Sequence, residues 1–320
     1  MTTNPQDVRS ALPHRSKLDK SLDKGFVSLT RVFALAVAAV LLAIAVQVAI
    51  QALPAIQEFG ANFISQSSWN PVRETYGALP VIYGTLVSSF IGLLIAVPIG
   101  VGTAILLSEN LLPVSIRTVL VFLVELLAAI PSVVYGIWGI FVLIPFLGDL
   151  AGTINQYFGW LPIFGTPSSG TLEGPGMLPA GIILAIMTLP IITAISRDAL
   201  ISVPRNLREA AVGLGATRWE TILKVLVPAA FSGIVSAVML ALGRAMGETM
   251  AVTMIIGNSN KIEASLFAPA NTISSLLANQ FAEADGIQIA ALMYAALILF
   301  FLTLIVNVLA ELVVLRVKKL

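Results

Sequence analysis

The 320-residue chain has no cysteine, one histidine and few charges, and each shortage removes a class of function. Without cysteine there is no disulfide, no thiolate nucleophile and no thiolate-bound metal. His14, the one histidine, lies in a polar N-terminal stretch, so neither a His-ligated metal cluster nor a Ser-His-acid triad can be assembled, and no catalytic residue is assigned. No Gly-x-x-x-x-Gly-Lys-Ser/Thr phosphate loop occurs, so the chain has no recognisable nucleotide site of its own. Charged residues are 11% of the chain, against about a quarter in a soluble domain, and 58% are hydrophobic. That is the composition of an integral protein of a lipid bilayer. A net charge of +1 gives no basic excess for a nucleic-acid partner, and none is expected.

What the chain does have is long apolar runs. Residues 1–31 are polar, with Arg9, Arg15, Lys17, Lys20, Lys24 and Arg31, and read as a cytoplasmic tail. The run from Val32 to Leu53 exceeds the roughly 7 to 15 apolar residues of a signal peptide and reads as an uncleaved first span. Five more spans are expected at about 79–107, 119–147, 178–200, 226–256 and 287–312, each able to cross about 30 Å of hydrocarbon at about 1.5 Å per residue. Residues 313–320 form a short C-terminal tail.

Six spans place both termini on one side, and positive charge identifies that side as cytoplasmic. The N-terminal tail, Arg117, the cluster Arg197, Arg205, Arg208, Arg218 and Lys224, and the closing Arg316, Lys318 and Lys319 all fall inside. Only Arg73 and Lys261 fall outside. The expected fold is therefore one all-α membrane domain, 32–312, with a cytoplasmic loop at about 201–225. Residues 148–177, rich in Gly and Pro, are expected to be irregular. Trp69, Tyr157 and Trp160 near span ends suit an interfacial aromatic belt.

Within the cytoplasmic loop, Glu209 to Pro228 encodes a helix, a break and a second helix. Pro204 presets φ for a first turn, and Leu207, Ala210, Ala211 and Leu214 recur on one helical face. Gly215 supplies the positive φ that a helix end wants, and Thr217 with Glu220 has the spacing of a capping box. An amphipathic hairpin lying on the membrane surface would share these features. The residues also resemble the cytoplasmic signature of bacterial ABC importer permeases: Glu-Ala-Ala, three residues, Gly, nine residues, Ile, one residue, Leu-Pro. Glu209, Ala210, Ala211, Gly215 and Pro228 fall at the matching spacing, with Val225 and Val227 in place of Ile and Leu. The resemblance implies a type I importer permease fold and a loop that docks in a cleft of an ATPase subunit.

Charge inside the apolar runs is the other signal. Arg244 lies near the middle of 226–256, where a charge costs about 2.5 to 3.5 kcal/mol and so should face protein or water. Glu248, four residues on, is expected on the same helical face within pairing reach. Glu125 in the third span, near Pro131-Ser132, is a further buried candidate. The pair reads either as a salt bridge bracing the bundle or as an anion-selective point, since guanidinium matches phosphate oxygens and does not titrate away. Gly243 and Gly247 either admit a neighbouring helix or leave room for solute. Pro98, Pro131 and Pro190 are expected bending points.

The stretches Gly243 to Val252 and Leu127 to Gly136 look like those of permease subunits of the high-affinity phosphate ABC importers. The resemblance covers most of the chain from the first span onward. It implies a second homologous permease subunit, two ATPase subunits that carry ATP and Mg, an extracytoplasmic phosphate-binding protein and alternating access in a bacterial inner membrane. It also implies a place on the phosphate path for Arg244 and Glu248 and, less directly, for Glu125. No cofactor is implied for this chain itself. Two other readings remain open: a permease for another oxyanion or small polar solute, and an ion-coupled secondary transporter or channel relaying ions through the same three residues.

Overall fold

A computed structural model describes residues 17–109 and 111–317. The tail residues Arg9, His14 and Arg15, and Lys318 with Lys319, lie outside the described residues. The chain forms two compact units, Met1–Ile50 and Gln51–Leu320. The first consists, where described, of most of helix α1 (Lys17–Phe59). That helix runs from within the stretch expected as a polar tail through the first apolar run. The most apolar window of α1 buries none of its residues, with Leu35 70% and Leu42 67% exposed. The end of α1 that belongs to the second unit is packed, with Ala52 and Ala55 fully buried.

In the second unit, α2 (Asn62–Ser65) precedes α3 (Leu79–Ser108), α4 (Val114–Ala129), α5 (Ser132–Trp138), α6 (Ile144–Phe158) and α7 (Met177–Ile201). Then follow α8 (Arg205–Gly213), α9 (Arg218–Thr221), α10 (Val227–Gly247), α11 (Met250–Ile255), α12 (Ile273–Gln280) and α13 (Gly286–Val317). The π-helical segments Gly139–Leu143 and Ile222–Leu226 join α5 to α6 and α9 to α10. Among the described residues, six helices are long and apolar enough to cross a membrane.

Close approach through glycine holds the centre of this unit. Between α3 and α7, a Cβ on Gly181 would lie 2.5 Å from an Ile91 methyl, and one on Gly100 would lie 2.8 Å from Ile192. Thr193 Oγ1 donates to the Gly100 carbonyl at 3.3 Å across the same seam. Between α5 and α11, a Cβ on Gly136 would meet Met254 Sδ at 2.6 Å, and one on Gly139 would meet Ile255 Cδ1 at 2.5 Å. A hydrogen in place of a methyl at these four positions lets backbones pack at a distance no larger residue permits. At the other end, Phe63 stacks on Tyr294 with centroids 4.5 Å apart, and Trp69 Nε1 donates to Gln280 Oε1 at 2.7 Å. Trp69 is thus a packing anchor, whereas Tyr157 and Trp160 are 68% and 78% exposed, as a belt position requires.

The third apolar run departs from the expected 119–147 span. It is helical from Val114 to Ala129, breaks at Ile130–Pro131, and resumes as the crossing-length element Ser132–Phe158. Pro131 cannot donate to the Leu127 carbonyl, and Tyr135 Oη takes the vacant place at 2.9 Å. Part of the stretch expected to be irregular, up to Phe158, is therefore helical. The remainder is pinned to the 257–272 loop by Ser265 Oγ donating to the Gly165 carbonyl at 2.6 Å and Ser168 N donating to Glu263 Oε2 at 2.8 Å.

Each π segment ends two residues before a proline, Pro145 or Pro228. A proline ring clashes with the carbonyl four residues back and lacks the N–H that would bond it, and a widened turn relieves both problems. Pro98 and Pro190 sit inside the continuous helices α3 and α7, so of the three expected bending points only Pro131 ends a helix.

Gly136→Val and Gly181→Val should each destabilise the folded chain by roughly 1 to 3 kcal/mol through overpacking. Gly102→Ala, with open space around its added methyl, should be neutral or mildly stabilising. Thermal unfolding of the purified variants in one detergent checks this order.

Candidate functional site

The cytoplasmic-signature residues fold as their sequence dictates, with one shift. Pro204 is the residue before helix α8, at φ −55° and ψ 135°, so the helix starts at Arg205. Its end is a Schellman arrangement: Gly215, at φ +84°, donates to the Val212 carbonyl at 2.9 Å, and Ala216 donates to the Ala211 carbonyl at 3.1 Å. Thr217 and Glu220 then form the capping box of α9, with Glu220 N to Thr217 Oγ1 at 3.3 Å and Thr217 N to Glu220 Oε2 at 3.0 Å. Glu209 and Ala210 are exposed and Ala211 is buried. The expected apolar face is largely open, for Leu207 is 42%, Leu214 90% and the neighbouring Trp219 59% exposed. Apolar side chains are thus gathered in the open on a loop whose ends are fixed by local hydrogen bonds.

Arg208 fastens this element to the bundle. Its Nη2 lies 3.0 Å from Glu109 Oε1, just past α3, and donates at 3.0 Å to the Leu200 carbonyl near the end of α7. A single guanidinium therefore ties α8 to the ends of two spanning helices.

From α9 the chain runs through the π segment into α10 as one helical element, Arg218–Gly247. Arg244 sits in its last turn, where the helix macrodipole favours a cation. The helix stops at Gly247, and Glu248 is extended, with φ −66° and ψ 125°. The expectation that Arg244 and Glu248 pair along one helical face is thus corrected: the helix ends between them. Glu248 Oε1 instead accepts from Ala251 N at 3.4 Å, at the start of α11. Arg244 is exposed and makes no hydrogen bond or ion pair among the described residues. An added Cβ on Gly243 or Gly247 would meet nothing within 4 Å, so these glycines leave room and receive no helix.

Arg244 lines a groove of about 690 Å³ together with Ser236, Asn307 and Glu311. Asn307 and Glu311 are two polar residues one helical turn apart in the last apolar run. That pairing was the readable signal for a polar face on α13, and the sequence reading passed over it. Tyr135, beside the Pro131 break, shares a hydrophobic cluster with Ala251 and Ile255 of α11, so the start of α5 and the start of α11 are brought to one region. Glu125 is not shown there. It is exposed on α4, a helix with no buried residues, which corrects the expectation of a buried carboxylate.

The family model described as binding-protein-dependent transport system inner membrane component matches residues 96–319. The chain is 44% identical over 319 residues to the phosphate transport system permease protein PstC of Mesorhizobium japonicum, covering 97% of each chain. It is 44% identical over 295 residues to the protein of that name from Pasteurella multocida, covering 92% of each. A probable PstC of Methanocaldococcus jannaschii is 39% identical over 264 residues, covering 80% of this chain and 82% of its own. Among solved structures, the inward-facing MetNI methionine ABC transporter matches with a TM-score of 0.54 at 20% identity, covering 77% of this chain and 95% of that one. That likeness gives the fold: a helical ABC importer permease. The chain is thus a multi-pass membrane transport component and belongs to the binding-protein-dependent transport inner membrane component family, within its group of PstC phosphate transport permeases.

Proposed function

We propose that the chain is the permease subunit through which an ATP-driven importer passes inorganic phosphate, with Arg244 as the anion-recognising residue of its path. The carrying observation is a guanidinium held in the last turn of a broken spanning helix, in no ion pair among the described residues, in a chain so close to phosphate transport permeases. A charge that the fold leaves unpaired in an apolar setting is stabilised when an anion arrives, and guanidinium presents parallel donors to phosphate oxygens. Glu248, turned toward α11, leaves those donors available. Its carboxylate, with Glu311 in the groove wall, limits the net attraction so that a recognised anion is also released. Glu125 contributes only from a face that a partner covers.

The energy comes from other subunits. Two ATPase subunits holding ATP and Mg dock on Glu209, Ala210, Ala211 and Gly215, a second homologous permease completes the path, and an extracytoplasmic binding protein delivers phosphate. Closure of the ATPases moves α8. The Arg208 tie and the continuous Arg218–Gly247 element carry that motion to α3, α7 and Arg244, about 39 Å of helical rise from Arg218. The excess of Lys and Arg in the tails and the 201–225 loop supports cytoplasmic termini, in a bacterial inner membrane.

Arg244→Gln should lower the rate of labelled phosphate uptake by roughly a hundredfold, the equivalent of about 2 to 3 kcal/mol from a charge-assisted hydrogen-bonded contact, with the complex still assembled. Loss of the assembled complex instead would assign Arg244 a bracing role. Exchanging Arg244 and Glu248 should be equally inactive, because the two positions have different backbone settings; full activity of the exchange would contradict the site.

Gly215→Pro and Glu209→Lys should release the ATPase subunits in co-purification while the chain still inserts in the membrane. The first is incompatible with φ +84° and the second reverses an exposed charge on α8. Retained ATPase with normal uptake would remove the docking role.

A further inference from the structure

We propose that the Arg244 groove selects oxyanions that carry a proton, and that Glu311 on α13 is the residue that reads the proton. The proposal rests on Arg244 as the anion-recognising residue and assigns the other half of that recognition. Arg244, Ser236, Asn307 and Glu311 are the polar lining of the groove, set among apolar side chains that include Ile191 and Leu240. All four polar residues are exposed. Asn307 and Glu311 lie four residues apart and so share one face of α13. Among the described residues Arg244, Asn307 and Glu311 make no hydrogen bond or ion pair, which leaves their polar atoms to a ligand.

The groove divides donors from acceptors. The guanidinium of Arg244 only donates, the Asn307 amide does both, and the Glu311 carboxylate only accepts. Ser236 Oγ donates to the Ser232 carbonyl at 2.8 Å, so its proton is spent and it too offers the groove only lone pairs. A ligand that satisfies this wall presents bare oxygens and at least one O–H. Hydrogen phosphate and dihydrogen phosphate do both: their bare oxygens take the donors of Arg244 and Asn307, and an O–H remains for Glu311. Sulfate has a similar shape and charge but no proton at neutral pH. Its oxygens would meet the carboxylate lone pair against lone pair, with like charge and no hydrogen bond in return. Glu311 is thus a repulsion for one oxyanion and a partner for the other, which is how a wall close to an anion path can carry a carboxylate. Asn307 serves any oxyanion oxygen and adds grip without selection.

The test uses the complete transporter without its external binding protein and without nucleotide, so that selection by the membrane path is read alone. Binding of radiolabelled phosphate is measured at neutral pH, the signal of Arg244→Gln is subtracted, and unlabelled arsenate or sulfate competes. Arsenate keeps a proton at that pH and sulfate does not. Arsenate should displace phosphate at a concentration roughly ten- to a hundredfold below the one sulfate needs, the worth of a hydrogen bond to a charged acceptor. Glu311→Gln, which keeps the shape and gains a donor, should bring sulfate to within about threefold of arsenate. Asn307→Leu should weaken all three anions together and leave their ratio unchanged. Equal displacement by the two competitors in the unmodified transporter would overturn the proposal, and that result stands even if Glu311→Gln fails to assemble. An assembled Glu311→Gln that keeps the original ratio would overturn it as well. Phosphate binding that survives intact in Arg244→Gln would instead overturn the reading of Arg244 beneath it.

Discussion

A helix that stops inside an apolar run leaves carbonyl groups without partners, and where water does not reach them the protein must supply the donors. This chain stops two helices within apolar runs of its sequence, at Pro131 and at Gly247, and much of its architecture answers the consequence. At Pro131 the Leu127 carbonyl accepts from Tyr135 Oη. At Gly247 the Ala245 carbonyl accepts from Glu248 N, the Gly247 carbonyl from Thr249 Oγ1, and the Met246 carbonyl from Ser274 Oγ at 3.2 Å. Ser274 reaches that position because α12 is fixed by its own capping box, Thr272 with Ser275, and by Ile273 N donating to Thr85 Oγ1 on α3 at 3.0 Å. The breaks are held open by dedicated side chains and are therefore specific structures.

Ending α10 at Gly247 also decides the character of the site. Had the helix continued, Glu248 would lie one turn above Arg244 and neutralise it. Because the chain turns extended there, the carboxylate serves the start of α11 and the guanidinium faces a groove. The same helix begins at the docking end, where capping box, π segment and Pro228 make a stiff start. The proposed docking surface and the proposed anion site are thus two ends of one element, and Arg208 adds a cross-tie to α3 and α7.

Much of this was legible in the sequence where a local rule governed the outcome. Gly215 and the Thr217–Glu220 pair behaved as their chemistry requires, since a positive φ and a three-residue spacing need no tertiary context. The spans were legible by length, but their interruptions were less so. Pro131 announced its break, whereas the Gly247–Glu248 break follows an unbroken helical pattern and carries only a glycine as a stop signal. The π segments depend on how a proline clash is relieved, which period alone does not reveal. The exposure of Glu125 depends on which elements pack against α4, which a local pattern does not reveal.

The central claim is that ATP hydrolysed elsewhere moves phosphate past Arg244 through this helix. Its most direct measurement is phosphate uptake by proteoliposomes that contain the complete transporter, with ATP supplied to the docking side and the proton gradient set independently. The account predicts uptake that requires ATP and persists when the gradient is collapsed. Uptake that follows the gradient and ignores removal of ATP would contradict it.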